Sequence, residues 1–255
     1  MQIDTTASSV RSSADAKILT GTGLCKNFGA LIVLDRVDFA VGASEAVGIV
    51  GPNGAGKTTL LNVLSGSLQL SAGQVRFRGV DVTANSTADR CRQGIARSHQ
   101  IPRPFGGMTV FENVFVAATA GSGQRGRAAH ERCIDALDLC DMLDKANRRA
   151  ETLGLLDRKR LELARTLATN PAVLLLDEIG GGLTDGEAAE LVETIRELGR
   201  RGIAIVWIEH IVHVLLQVVE RLICLDGGRI IADGTPETVM SDPAVIEAYL
   251  GHAVS

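Results

Sequence analysis

Gly51-Pro-Asn-Gly-Ala-Gly-Lys-Thr58 is the stretch on which the reading of this chain turns. The apolar run Ala46–Val50 precedes it, and Lys57-Thr-Thr-Leu-Leu-Asn-Val-Leu-Ser-Gly66 follows. The predicted order is strand, glycine-rich turn, helix, and every fixed position of G-x-x-x-x-G-K-[ST] is filled. Gly51, Gly54 and Gly56 let backbone N–H groups curl around phosphate oxygens with no Cβ in the way, with Pro52, Asn53 and Ala55 between them. The helix start at Thr58 and Thr59 adds a positive dipole end and unpaired N–H donors. Lys57 suits the β- and γ-phosphates of a nucleotide, and the Thr58 hydroxyl suits Mg²⁺. The plain alternative is a chance glycine-rich turn. The strand before it and the helix after it decide against that.

The bulk numbers agree. A chain of 255 residues accommodates one large α/β domain, or one with a smaller lobe. Hydrophobic residues make up 45%, so a sizeable core forms, yet aromatics are only 3% and Leu, Val, Ile and Ala dominate. That composition fits parallel strands buried on both faces. The net charge of −4, with no long Lys/Arg run, argues against nucleic acid as a partner. Cys25, Cys91, Cys133, Cys140 and Cys224 are scattered without a C-x-x-C pair and read as free thiols in a reducing compartment. Residues 1–16 are polar and lack an apolar core, so a disordered leader is expected rather than a signal peptide. No apolar run approaches the roughly 18 residues of a membrane span, so any membrane role must come through a partner.

Along the chain, Ile18–Phe28 and Leu31–Val41 read as two strands joined by a turn, and Gln74–Val82 as a strand pair with Gly79 at its tip. Together they predict a small antiparallel sheet beside the nucleotide core. From about 101 to 168 the character is helical, with apolar spacing of three and four over Phe111–Ala120 and Ala128–Leu143. This predicts an inserted helical subdomain. Ala172–Leu176 and Ile203–Ile208 are buried strands, separated by an amphipathic helix over Glu187–Arg200. Two short strands around Leu222–Leu225 and Arg229–Ala232, then a helix over Ala244–Leu250, close a domain expected to span 17–253. The fold class is α/β: a P-loop NTPase core with a mostly parallel sheet.

Polar signals fall at the carboxyl ends of the predicted core strands, the edge where ligands bind in open α/β sheets. Asp177 and Glu178 close VLLLDE. An aspartate there suits Mg²⁺, and the next carboxylate suits orienting or deprotonating an attacking water. The plain alternative is a pair of solvated strand-end acids. His210 ends IAIVWIEH on the same edge, which favours a γ-phosphate contact over a structural role. His210-x-x-His213 without further ligands is a poor metal site.

At this point the chain resembles the ATP-binding cassette (ABC) ATPases, over nearly everything from Ile18 to Leu250. The resemblance implies ATP and Mg²⁺ as ligands. It implies that Phe28 in KNFG stacks on adenine and that Gln100 in IARSHQ senses Mg²⁺ and links the core to the helical lobe. It further implies that Arg103–Val114 faces the coupling helix of a membrane partner, that Asp177 is the metal-site aspartate, Glu178 the catalytic glutamate and His210 the switch histidine. LCKNFGALIVLDRV, GIARSHQIPRPF, RKRLELARTLATNPAVLLLDE and above all GTPETVMSDPAVIEAYLG resemble ATPase subunits of bacterial branched-chain amino acid importers. Relatives serving urea or amide uptake or lipopolysaccharide export share much of the pattern. The implied partners are membrane permease subunits, a second ABC ATPase and, indirectly, a solute-binding protein. The implied location is cytoplasmic, on the inner face of the cell membrane.

Two departures stand out. Where the family signature LSGGQ is expected, the chain reads Leu153-Gly154-Leu155-Leu156-Asp157-Arg158, with Gly154 for the serine, Leu156 for the second glycine and Arg158 for the glutamine. In the family this segment covers the γ-phosphate bound to the opposite subunit of a head-to-tail dimer. Thr184 stands at the usual aspartate of the inter-subunit loop. Both departures fall on the surface offered to the other subunit, while residues for this chain's own ATP are intact, so a heterodimer is favoured over a homodimer. A cassette acting on DNA or ribosomes is disfavoured by the absence of coiled-coil insertions and by the acidic charge. A nucleotide switch with weak hydrolysis is the remaining alternative.

Overall fold

The computed structural model describes residues 17–251. The expected leader over 1–16 lies outside them, as do the last residues of the domain.

A six-stranded sheet carries the molecule, built from β3 (Ala46–Val50), β6 (Ile95–Arg97), β7 (Val173–Asp177), β8 (Ala204–Ile208), β9 (Arg221–Asp226) and β10 (Arg229–Gly234) in the order β10-β9-β3-β8-β7-β6. Neighbours pair in parallel except β9 and β10, which form a hairpin. All five residues of β3, β7 and β8 are buried. Their unbroken apolar sequence follows from that, because both faces of the sheet are covered. Successive side chains point to opposite faces. Leu174, Leu176, Ile205 and Trp207 enter one core with the central helices, whereas Val173, Leu175, Ala204, Val206 and Ile208 enter a second core on the other face.

That second core is shared with α1 (Lys57–Ser65) and with an antiparallel sheet of order β2-β1-β4-β5, made by β1 (Lys17–Phe28), β2 (Leu31–Gly42), β4 (Ala72–Phe77) and β5 (Val80–Asp81). The antiparallel layer was anticipated. Not anticipated was α2 (Thr87–Gln93), although its stop and start signals are present. The Ser86 hydroxyl accepts from Asp89 N–H, and Gly94 at the C-terminus has φ +113. Arg90 of this helix is buried, and its guanidinium donates to the carbonyls of Val63, Leu64 and Thr83. A cation thereby satisfies carbonyls at the C-terminal end of α1, where the helix dipole favours it.

The first core lies under α3 (Val110–Gly121), α4 (Gly126–Leu139), α5 (Leu155–Ala168) and α6 (Asp185–Arg200). Thr109 and Glu112 form a reciprocal capping box that fixes the start of α3. α4 stops at Leu139, short of the expected Leu143. Asp141 is left-handed (φ +53), Met142 N–H reaches Leu137 O, and Asp141 N–H reaches Asp138 O. This is a Schellman stop with an aspartate where a glycine would have announced it. α6 buries Ala188, Leu191, Val192, Ile195 and Leu198, the stripe expected of an amphipathic helix. The short helix α7 (Val212–Leu215) packs against α6, whereas α8 (Pro236–Met240) and the terminal α9 (Pro243–Gly251) pack at the β9–β10 side. No helix of the described residues is long and apolar enough to cross a membrane.

Candidate functional site

Because β3, β8 and β7 are parallel neighbours, their carboxyl ends bring the P-loop, His210 and Asp177-Glu178 to one edge. A cavity of about 360 Å³ opens there, lined by Leu31, Val33, Asn53–Thr59, Glu178 and His210. The structure brings the P-loop, Glu178 and His210 together at this edge and adds Leu31 and Val33, which no sequence signal singled out. Phe28 pairs with Leu31 across the β1–β2 hairpin, is 51% exposed and lies outside the lining, with Lys26 Nζ 4.9 Å from its ring centroid.

The P-loop geometry explains its residues. Gly51 has φ +142, and a Cβ there would lie 2.0 Å from Leu225 O, so no other residue fits. Its N–H donates to the Tyr249 hydroxyl of α9 at 2.9 Å, a contact that joins the last helix to the first P-loop residue. Gly56 (φ +103) is the N-cap of α1, with no side-chain capping bond, which leaves helix N–H donors for an anion. Lys57 is buried, and its ammonium donates to Gly51 O (2.6 Å) and Pro52 O (2.9 Å). An ammonium has three hydrogens, so one remains for a phosphate oxygen. Burial pushes the Lys57 pKa down, while Glu178, Cys224 and Asp177 oppose that shift by attraction.

Glu178 is the centre of the site. Its φ of +48 is a left-handed conformation that a side-chain-bearing residue rarely adopts. Glu178 N–H donates to Ile208 O at 2.8 Å, which ties it to β8. His210 Nε2 lies 2.7 Å from Glu178 Oε1, and Gln100 Nε2 donates to Glu178 Oε2. Both carboxylate oxygens are thus held by residues from two other segments, and Gln100 is brought to Glu178.

Asp177 is 4% exposed. Its Oδ2 accepts from Arg97 Nη2 at 2.7 Å, whereas Oδ1 is buried with no hydrogen-bond partner among the described residues. Arg97 also bonds Asn62 Oδ1 and so connects β6 to α1. An orphaned carboxylate oxygen, together with the Thr58 hydroxyl and the Gln100 amide oxygen, is a hard-oxygen donor set that fits Mg²⁺, which needs few protein ligands when phosphates supply the rest. No cluster of three or more His, Cys, Asp or Glu that could hold a metal occurs among the described residues.

The signature segment is not part of this cavity. Helix α5 begins at Leu155, inside the signature segment, with Gly154 as an uncapped N-cap. Counted from Leu153, the fifth position of the signature is Asp157, not Arg158. Asp157 pairs with Lys145 Nζ at 2.8 Å, and Arg158 donates to Glu151 O. Leu155, 47% exposed, is the apolar tip of the segment and faces Gly182 across the turn after Glu178. Thr184 is the N-cap of α6 and forms a capping box with Glu187.

Comparison with known proteins completes this picture. A family model described as ABC transporter matches residues 34–180, and one described as branched-chain amino acid ATP-binding cassette transporter matches 229–255. The chain is 34% identical over 251 residues to the high-affinity branched-chain amino acid transport ATP-binding protein of Escherichia coli K12, covering 92% of this chain and 98% of that protein. It is 33% identical to a probable branched-chain amino acid transport ATP-binding protein of Methanocaldococcus jannaschii, covering 92% and 98%. Among solved structures it is similar to an ATP-binding cassette of an ABC transporter in its ADP conformation, with TM-score 0.84, 31% identity and coverage of 92% and 99%. A nucleotide-free cassette from an ABC transporter matches with TM-score 0.84 and 30% identity, covering 91% and 98%.

Proposed function

The chain belongs to the ABC transporter family, and on that premise we propose that it is the ATP-binding and ATP-hydrolysing subunit of an importer for branched-chain amino acids. The observation that carries the reading is the convergence of the P-loop, Glu178 and His210 on one cavity. The matching C-terminal model and the named relatives support the substrate class.

In this reading the P-loop amides and Lys57 bind the phosphates of ATP. Thr58, Asp177 and Gln100 would hold Mg²⁺, which when bound neutralises charge on the β- and γ-phosphates. Glu178 orients and deprotonates the attacking water. Each Glu178 oxygen meets one of these side chains, His210 on Oε1 and Gln100 on Oε2, which orients the carboxylate and leaves a second lone pair on each oxygen for the water. His210, once free of Glu178, contacts the γ-phosphate. Leu31 and Val33 line the nucleotide cavity, and Phe28, paired with Leu31 across the β1–β2 hairpin, stacks on adenine. The domain extends over 17–253 with a helical subdomain at about 101–168. Membrane permease subunits hold it at the inner face of the membrane and a solute-binding protein acts upstream. Glu178→Gln, measured for ATP turnover with the permeases present, should lose at least about a hundredfold in kcat while retaining ATP binding. Unchanged coupled turnover would remove Glu178 from this role.

A second reading concerns the partner cassette. Gly154 offers no hydroxyl, Leu155 projects an apolar tip, and Asp157 and Arg158 are bonded within the chain. This supports a heterodimer in which the second cassette supplies a competent signature to the ATP bound here, while the reciprocal site is weak. Gly154→Ser with Leu156→Gly should raise turnover at that reciprocal site. Equal loss of transport on replacing the P-loop lysine of either subunit would count against the asymmetry.

A further inference from the structure

Lys159 of α5 and Glu209 at the end of β8 grip the two ends of one peptide group. Lys159 Nζ donates to Ile179 O at 2.7 Å, and Gly180 N–H donates to Glu209 Oε2 at 3.0 Å. Carbonyl and amide belong to the same unit, the Ile179–Gly180 peptide, the second peptide after Glu178. The other Glu209 oxygen accepts the His210 N–H at 3.2 Å. Both side chains are buried, Lys159 at 6% exposure and Glu209 at 3%. Burial pushes the Lys159 pKa down and the Glu209 pKa up, opposed respectively by attraction to Glu209 and by backbone N–H donors from Gly180 and His210. Burying two charges is expensive, and apolar side chains of the same size would fill the space at less cost. Gly180 leaves room for the carboxylate, because a Cβ there would lie 3.1 Å from Glu209 Oε2, tighter than an ordinary contact.

The place of this peptide gives the grip a consequence. Glu178 holds a strained left-handed backbone, and its side chain meets His210, whose own N–H is on Glu209. Helix α5, which carries Lys159, begins with the segment Leu155–Arg158 that faces outward near Gly182. We infer that Lys159 and Glu209 are positioning residues that clamp the Ile179–Gly180 peptide, keep Glu178 against His210 and pass displacements of α5 to that pair. The clamp rests on the ATPase reading for its effect on turnover, but not for its effect on the backbone.

The test uses the full chain carrying Lys159→Met, Glu209→Gln, both together, and Lys159→Arg as the conservative variant. Gly180 N–H and His210 N–H lie on different oxygens of Glu209, so a glutamine in the same place turns its NH₂ toward one of them and keeps only the other bond. Amide hydrogen exchange should speed up about tenfold at Gly180 and across 208–211 in Lys159→Met, a segment to which this lysine donates no hydrogen bond. The dissociation constant for MgATP should stay within about twofold while kcat falls about tenfold in either single variant. The double variant should be little worse than the worse single one, because each change frees the same peptide, and Lys159→Arg should recover most of the loss. Faster exchange confined to α5, equal losses in ATP affinity and kcat, or additive single losses would each overturn the clamp. A wild-type chain with no turnover would count against the ATPase reading instead, and the exchange pattern would still decide the clamp.

Discussion

Tyr249→Phe isolates one hydroxyl that joins the end of the chain to its nucleotide site. The hydroxyl accepts the Gly51 N–H at 2.9 Å, and Leu225 O occupies the space where a Cβ of residue 51 would lie. Burial raises the Tyr249 pKa, against the opposing bond from Gly51, so the group is a neutral hydroxyl at physiological pH. Phenylalanine keeps the ring and its packing and removes only the acceptor. A neutral hydrogen bond contributes about 1 kcal/mol net, and a buried amide left without a partner costs about 1–3 kcal/mol. The bond is part-buried, so the lower end applies, about 1 kcal/mol. For a chain of this size that shifts Tm down by about 2–4 °C. If the bond also holds the P-loop ready for phosphate, the same 1 kcal/mol weakens MgATP binding about fivefold. Calorimetric melts with and without MgATP, beside equilibrium titration of a fluorescent ATP analogue, separate the two effects. A variant that melts and binds like wild type would refute the idea that α9 steadies the P-loop. A lower Tm with unchanged affinity would confine the contact to stability.

Other outcomes follow from the same geometry. Lys57→Ala should abolish ATP binding in a titration, since it removes the cation that caps the Gly51 and Pro52 carbonyls and faces the cavity. Arg90→Met should cost about 3 kcal/mol in chemical denaturation, because it strands three carbonyls held by a buried guanidinium, two of them at the end of α1. Thr184→Ala removes the cap of α6 and should cost about 1 kcal/mol, read as a shift in denaturation midpoint, with Thr184→Asp recovering it. Hydrogen bonds from Thr83 and then Gln74 lower the Asp81 carboxyl from 3.8 to about 2. A carboxyl lowered on folding adds stability above its unfolded value and loses it as pH falls between the two. Wild type should therefore lose stability relative to Asp81→Asn on acidification through that window, measured by denaturation at a series of pH values, and parallel curves would contradict the assignment.

What the sequence disclosed and what it withheld divide by the range of the interactions. Uninterrupted apolar runs such as VLLLD and AIVWI announced strands buried on both faces, because that environment admits nothing else. The P-loop spacing announced a turn that only glycines can make. Local signals failed where a residue of the wrong type took a special conformation: α4 ends on a left-handed Asp141, so the predicted helix ran on to Leu143. Contacts between distant segments left no trace at all. Nothing in KRLELA tells that Lys159 reaches Ile179, nor in EAYLG that Tyr249 reaches Gly51. Thr184 shows the remaining difficulty. Read in sequence it is only a departure on a surface offered to another subunit, yet its side chain accepts Glu187 N–H and starts α6. Aspartate is an equally good N-cap, so capping alone does not select threonine. What distinguishes the two is the negative charge that aspartate would project from the loop after Glu178. The same surface carries the exposed Leu155 and the internally bonded Asp157 and Arg158. Thr184 thus starts α6 without adding charge, while Asp157 and Arg158 use hydrogen-bonding capacity within the chain, and both uses become visible only once the fold brings Lys145, Glu151 and Glu187 to them.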